Sequence, residues 1–190
     1  MSKLFPHVAL VAGALFFAAV SAQAGGTVCF EAESAKALTA PMRVVNVVKP
    51  PPEAKEPPVK GASGESYIEI PEGAGKPPEA GGTATYAFEI SDPGTYYLWC
   101  RVWWADGCGN SVGMKIDSAP AFTFGQDATY KSWHWFRAPL KLQQLELTKG
   151  AHTLTVSNRE DGVILDQILF VKERRYVPVD IEAITPAAGK

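Results

Sequence analysis

From residue 67 onward, apolar side chains recur at every second position in short runs, and turn-forming residues break each run. Ala84, Tyr86, Phe88 and Ile90 alternate with Thr85, Ala87 and Glu89 until Ser91-Asp92-Pro93-Gly94 ends the pattern. Tyr96, Leu98, Cys100, Val102 and Trp104 then share one parity. A period of two puts such residues on one face of a strand, and it cannot be laid along one face of a helix. The spacing predicts strands over 67–70, 84–90, 95–104, 112–116, 133–137, 140–147, 152–156 and 163–171. No stretch carries a long amphipathic helical pattern with caps. Many short strands with Pro, Gly, Asp and Asn between them predict an all-β protein, an antiparallel β-sandwich or barrel of about eight to eleven strands.

The first residues bear on compartment. Lys3, an apolar run over 8–20, and Ser21-Ala22-Gln23-Ala24 form the pattern of a secretory signal peptide over 1–24. The run is too short for a membrane span, which needs about 20 apolar residues. The expectation is a secreted chain, extracellular or periplasmic, with one domain over 25–171. Its formal net charge of −2 is too mild to point to nucleic acid or an anionic membrane. Three cysteines, Cys29, Cys100 and Cys108, leave at least one thiol unpaired, and their spacing matches no zinc or redox motif. Cys100 shares the parity of Tyr96 and Leu98 and is expected to be buried, with Cys108 accessible or bridged. The KPPPEAKEPP run over 49–58 reads as an extended surface loop. Residues 172–190 read as a C-terminal tail, frayed like most termini.

Three carboxylates stand out. Glu31 and Glu33, two apart, fall on one face if 30–33 is a strand, where they repel unless a cation lies between them. Asp166 sits inside Val-Ile-Leu-Asp-Gln-Ile-Leu-Phe, where burying a charge without a partner is costly. A hard cation bound by oxygens satisfies all three. An exposed Glu pair on an edge strand, with Asp166 salt-bridged to an Arg or Lys, does so equally well.

The chain resembles the carbohydrate-binding modules of families 6 and 35. The matching pieces are Phe-Glu-Ala-Glu at 30–33, Gly-Ala-Ser-Gly-Glu-Ser-Tyr-Ile at 61–68 and Pro-Gly-Thr-Tyr-Tyr-Leu-Trp-Cys-Arg-Val at 93–102. Lys-Gly-Ala-His-Thr-Leu-Thr-Val at 149–156 and Leu-Asp-Gln-Ile-Leu-Phe at 165–170 complete them, in the family's order. The resemblance implies a galactose-binding-like jelly roll. It also implies a structural calcium ion held by Glu31, Glu33 and Asp166. Glu65 departs from the family's usual glycine, and the proline-rich loop is an addition.

Three further segments mix aromatic and polar side chains: Trp104 with Asp106 and Asn110, Trp133 with Trp135, and Asn158 with Arg159 and Asp161. Sugar rings present apolar C–H faces ringed by hydroxyls, so their sites pair a flat aromatic with amide, carboxylate and guanidinium groups. The resemblance implies that loops at one end of the sandwich bind the glycan or polysaccharide, and these eight residues are the candidates. Any of the tryptophans can equally be core. Trp103 and Trp104 point to opposite faces, so one of them is expected inside. No nucleophile elbow, zinc signature or phosphate-cradling loop appears, and no catalytic activity is expected. Such modules usually ride on an enzyme, whereas this one is expected to stand nearly alone. That opens a second reading, a structural protein of the cell surface or matrix that binds other proteins, with a surface Cys108 bridging between chains.

Overall fold

The structure is a computed structural model that describes residues 26–50, 52, 56–139 and 144–186. Residues 1–24, read from the sequence as a signal peptide, lie outside the described residues. Within them, twelve strands form two antiparallel sheets packed face to face, the β-sandwich jelly roll that the alternation predicts. The strand count is higher than read from sequence because short strands at 27–31, 37–39, 43–46 and 122–125 carry too few residues for a clear alternation.

The smaller sheet orders β2 (Ala37–Thr39), β5 (Thr83–Ile90), β11 (Gly150–Ser157), β7 (Ser111–Ile116) and β8 (Phe122–Gly125). Along β5, Ala84, Tyr86, Phe88 and Ile90 are buried while Ala87 and Glu89 are exposed, so the alternation is one of core against solvent. In the larger sheet, β12 (Val163–Val171) is central, flanked by β6 (Gly94–Trp104) on one side. On its other side β1 (Thr27–Glu31) and β4 (Ser66–Ile70) pair with successive halves of it, and β3 (Arg43–Asn46) lies beyond β4. β9 (His134–Arg137) and β10 (Leu145–Leu147) pair with β6.

The core between the sheets takes Tyr96, Leu98, Cys100, Val102 and Trp104 from β6, and Val163, Leu165, Ile168 and Phe170 from β12. These parities do not fit one unbroken strand. The register slips between Leu165 and Gln167, so Asp166 is the extra residue of a β-bulge. A bulge re-aims the side chains that follow it. Ile168 and Phe170 therefore continue the inward row, and Gln167 joins Arg101 on the other side.

That outer face of the larger sheet is also covered, which is why all nine residues of β12 are buried. One half carries Val45, Ala62, Tyr67 and Ile164, against which Val47, Val59, Trp103 and Trp133 pack. The other carries Cys29, Tyr97, Trp99, Leu169 and Val171, met by Trp135 and Tyr176. Tyr176 belongs to the segment read as a frayed tail, and here the expectation is corrected. The Trp135 indole donates to the Asp180 carbonyl, and Glu182 exchanges two hydrogen bonds with the Gln167 amide. Thr185 pairs with Cys29 through its own N–H and hydroxyl. An open strand edge invites pairing with other chains, and residues 176–185 close the edge of β1.

All three cysteines are free, with Cys29 and Cys100 buried and Cys108 exposed. Burial first, then the nearby acids Glu31, Glu182 and Asp166, pushes the Cys29 thiol up to about 12, so it is inert at neutral pH.

At the other end, His152 ties β11 to the turn after β7. Its Nδ1 meets Asp117 Oδ2 at 2.7 Å and its Nε2 meets the Thr148 carbonyl at 2.8 Å. Both partners are acceptors, so the ring serves best with both nitrogens protonated. Burial alone lowers the His152 pKa, but the bonds to Asp117 and Thr148 outweigh it and the net direction is up. A raised folded pKa means stability that is complete below about 6.5 and lost as pH rises through the folded value. The melting temperature is expected to fall on going from about pH 6 to pH 8.5, by no more than the few degrees a partly exposed pair confers. His152→Gln should flatten that slope in a thermal melt series.

Candidate functional site

The three loops expected to carry the site do meet at one end of the sandwich. The Ala105 N–H donates to the Gly162 carbonyl, and the Lys131 N–H to the Trp104 carbonyl. Asn110 Nδ2 reaches the Asp127 carbonyl at 3.3 Å. The junction is tight at Gly162, whose φ of +69° suits glycine and where a Cβ would collide with Ala105 and the Glu72 carboxylate.

The polar candidates there are spent on neighbouring residues of the loops. Asn158 is buried and its Nδ2 donates to the carbonyls of Gly75 and Gly81, at 3.0 and 2.8 Å, clamping the 71–82 loop. Asp161 accepts from the Gly75 N–H at 2.8 Å. Arg159 bonds Ser111 and Glu160, and Glu160 accepts from the Asn110 N–H. Asp106 is exposed, but one of its oxygens caps the Cys108 and Gly109 N–H groups. Trp104 is a correction. It is 0 % exposed, in the core, edge-on to His134 at 6.1 Å. A ring sealed between two sheets offers no surface to a sugar, so it does not serve as a platform. Asn110 and Asn158 are likewise buried and hold backbone rather than face solvent.

Trp133 and Trp135 both lie on the outer face and are half-buried. The Trp133 indole donates to the Lys60 carbonyl at 2.7 Å, and Arg101 lies 4.8 Å over its ring. Trp135 is held by Asp180. Each has one face spent on packing.

The open concave surface is beside these residues. A groove of about 730 Å³ runs from the loop end down the outer face of β4, β12 and β6. Tyr67, Trp103 and Ile164 line it, with Pro57, Pro58 and Val59 of the proline-rich segment beside them. Arg43, Glu69, Glu72, Asp106 and Lys131 supply its polar edges. Arg43 and Glu69 lock each other, Nη2 to Oε1 at 2.7 Å. Glu72 has its pKa raised by partial burial and by Asp161 and Asp106. Lys131 holds a left-handed backbone, φ +54°, a strained state that clusters at ligand sites. The volume is in the range of ligand sites, and an aromatic floor with convergent polar groups is their usual make-up.

Of the residues that line the groove, the sequence candidates include Asp106 alone; they hold Trp104 rather than its neighbour Trp103, and nothing local marks Arg43 or Lys131.

The acidic residues form a separate, interior cluster. Glu31 ends β1, but Glu33 lies in a 3₁₀ turn, Ala32–Ser34, so the strand-face argument for the pair fails. The carboxyls converge nonetheless. Glu33 is pushed up to about 7, by burial first and also by Glu31 and Asp166. Asp166, 0 % exposed, accepts from Arg101 Nη1 at 2.5 Å and from the Ser63 N–H at 2.8 Å. The Ser63 hydroxyl donates to Glu31 Oε1 at 2.5 Å. Burial leads and raises Asp166 to about 6 even beside the guanidinium. Glu31 Oε2 and Glu33 Oε2 are buried without a hydrogen-bond partner. Two orphaned carboxylate oxygens, one on a carboxyl whose ionisation burial disfavours, fit a hard cation. Yet among the described residues no three His, Cys, Asp or Glu side chains close into a metal cage. An ion here would take its shell chiefly from Glu31, Glu33 and main-chain oxygens, with Asp166 already shared by Arg101.

No protein-family model and no curated protein matches the sequence. Solved structures match the fold. A GH26-CBM35 β-(1,4)-mannanase from Podospora anserina aligns with a TM-score of 0.58 at 20% identity, over 84% of this chain and 30% of that one. An exo-β-1,3-galactanase from Phanerochaete chrysosporium aligns at 0.51 and 15% identity, over 78% of this chain and 30% of its own. The C-terminal CBM6 of a marine laminarinase from Zobellia galactanivorans aligns at 0.49 and 14% identity, over 77% and 99%. The chain thus spans under a third of the two enzymes and shares its β-sandwich fold with the part of each that it covers.

Proposed function

We propose that this chain is a non-catalytic carbohydrate-binding module that works outside the cytoplasm, with its glycan in the sheet-face groove rather than on the loop tips. The observation that carries this is Trp103, half-buried and bordering an open groove with charged groups along its edges. Such a surface stacks on a sugar ring while its edges satisfy hydroxyls. His134 and His152, the residues best suited to acid–base work, each have both ring nitrogens engaged, with Asp127 and the Ser132 carbonyl and with Asp117 and the Thr148 carbonyl, which supports a binding role over a catalytic one. A calcium ion at Glu31 and Glu33 is the second part of the reading. It would tie β1 to the turn that follows and neutralise the cluster. No helix among the described residues is long and apolar enough to cross a membrane.

The relatives named above act on a β-mannan and a β-1,3-galactan, so these polymers come first in affinity electrophoresis. Binding at about micromolar to millimolar strength is expected, since each hydrogen bond contributes only about 1 kcal/mol. Trp103→Ala should abolish retardation with little loss of melting temperature. A chelator should lower the melting temperature of the wild type, because a ligand of the native state stabilises it. Uniform absence of binding across neutral and acidic polysaccharides sinks the carbohydrate reading. A melting curve indifferent to chelator and to added calcium sinks the metal.

A further inference from the structure

The charges that line the groove differ in whether the fold has already matched them. Ile164 pairs with Glu69 of β4 on one side and with Trp103 of β6 on the other, so the three stand in one row across the sheet. In that row Glu69 is matched, since Arg43 donates to its Oε1 from Nε at 2.8 Å and from Nη2 at 2.7 Å. Beyond the row the strands run out into the loops, and there the balance changes. Glu72 makes no hydrogen bond or ion pair among the described residues. Its carboxylate lies over Gly162, in space that a Cβ at that position would take. Burial first, then the acidic neighbours Asp161 and Asp106, raises its pKa, and no cation offsets them. Asp106 caps the Cys108 and Gly109 N–H groups through Oδ1 and leaves Oδ2 without a partner.

Glu72 and Asp106 are both exposed and both line the groove, so a molecule lying in it reaches them directly. Glu56 of the proline-rich segment adds a third unpaired carboxylate to the lining, and Lys131 is the one cation there outside an ion pair among the described residues. The unmatched charge of the groove is therefore negative, and it sits beside an aromatic wall. Complementary charge selects partners more than it adds raw affinity. The occupant that fits brings a cation with several donors on a body with an apolar face.

We propose that the groove selects amino sugars, with Glu72 and Asp106 taking the ammonium group while Trp103 stacks on the ring. The sugar as carrier rests on the carbohydrate reading above; the excess of carboxylate along the groove does not. An ammonium has three donors and no acceptor, the converse of two carboxylates. A neutral sugar keeps the stacking and leaves Glu72 unmatched, and a uronic acid brings it a like charge.

The test is calorimetry of the full chain against hexamers of glucosamine, N-acetylglucosamine and glucose. All three share one β linkage and differ in a single substituent per ring: ammonium, acetamide or hydroxyl. At about pH 6, where such an amine is charged, the glucosamine hexamer should bind about tenfold more tightly than either neutral one. That ratio should shrink in about 0.5 M salt, because exposed charges are screened. Glu72→Gln keeps the shape and breaks no bond, so the melting curve should stay while the ratio falls to about threefold or less. Adding Asp106→Asn, which retains the capping acceptor, should remove what remains. Lys131→Gln deletes the opposing charge and should widen the ratio. Equal affinity for the three hexamers, with binding lost in Trp103→Ala, overturns the amino sugar and leaves the carbohydrate reading standing. A ratio untouched by Glu72→Gln overturns the assignment of the ammonium seat. A lysine hexamer that binds as tightly and displaces the glucosamine hexamer overturns the sugar itself, and the carbohydrate reading with it.

Discussion

Asp166→Ala is expected to lower stability by about 3–5 kcal/mol, the cost of leaving one member of a buried ion pair without the other. Asp166 has no exposed surface, and Arg101 is the cation it meets, at 2.5 Å. Removing the carboxylate leaves the guanidinium buried against the Gly61 carbonyl and the Trp133 ring alone. The Ser63 N–H, which also bonds Asp166, is orphaned in the same step. For a chain of this size that loss corresponds to a melting temperature lower by roughly 6–20 °C. Asp166→Asn keeps an acceptor for Ser63 but not the charge, and should fall between. The informative variant is Arg101→Leu with Asp166→Leu. Replacing both charges with apolar groups is often neutral, so the double variant should melt above either single one. If instead the two losses simply add, the ion pair is not what holds this bulge. Chemical denaturation with thermal melts decides between these outcomes.

How far the sequence made this visible depends on what local order each feature obeys. The sandwich was legible because β5 and β6 alternate without interruption, and alternation is a direct record of which face is buried. Cys100 inside followed from the same parity, and Cys108, expected accessible or bridged in its glycine-rich loop, is free and exposed. The bulge at Asp166 was not legible. An extra residue reverses the parity of everything after it, and in a strand buried on both faces the polar pair Asp166 and Gln167 does not show that a residue has been inserted there. Reading β12 as unbroken sets Asp166 with Ile168 and Phe170 on one face, whereas the chain sets Ile168 and Phe170 in the core and Asp166 toward Arg101. Arg101 itself left a trace, as the one charge among Tyr97, Trp99 and Trp103 on the outward parity of β6. The docked tail left less. Its contacts are main-chain carbonyls and single side chains such as Thr185 on Cys29, which no period encodes. The burial of Asn110 and Asn158 at the loop end was hidden for a related reason. Asn110, Asn158, Arg159 and Asp161 have the chemistry that recognises hydroxyls, and the same chemistry closes tight loops. Composition does not say which of the two is used.

Trp104→Ala should be the most destabilising tryptophan substitution in the chain and the least informative about ligand, opposite to Trp103→Ala. The two rings are neighbours in sequence and face opposite sides of β6. Trp104 is 0 % exposed within the core, and deleting a buried ring of that size costs about 3–5 kcal/mol for lost transfer energy and the cavity left behind. Against a total stability of about 5–15 kcal/mol, the variant is expected to lie near the limit of folding. His134, which meets the ring edge-on, would lose that contact and keep its bond to Asp127. The indole N–H of Trp104 is buried without a partner, so Trp104→Phe removes an unsatisfied donor while keeping most of the apolar volume. That variant should recover more than half of the loss. Trp103, half-buried against the cluster of Val45, Tyr67 and Ile164, should cost far less on truncation, about 1–2 kcal/mol for partial burial, while taking the groove's most exposed aromatic surface with it. The measurement is paired: melting temperature and polysaccharide retardation for Trp103→Ala, Trp104→Ala and Trp104→Phe. Retention of binding by Trp103→Ala, or loss of binding by a Trp104→Phe protein that melts like the wild type, would show that the ligand contacts lie elsewhere than in the groove.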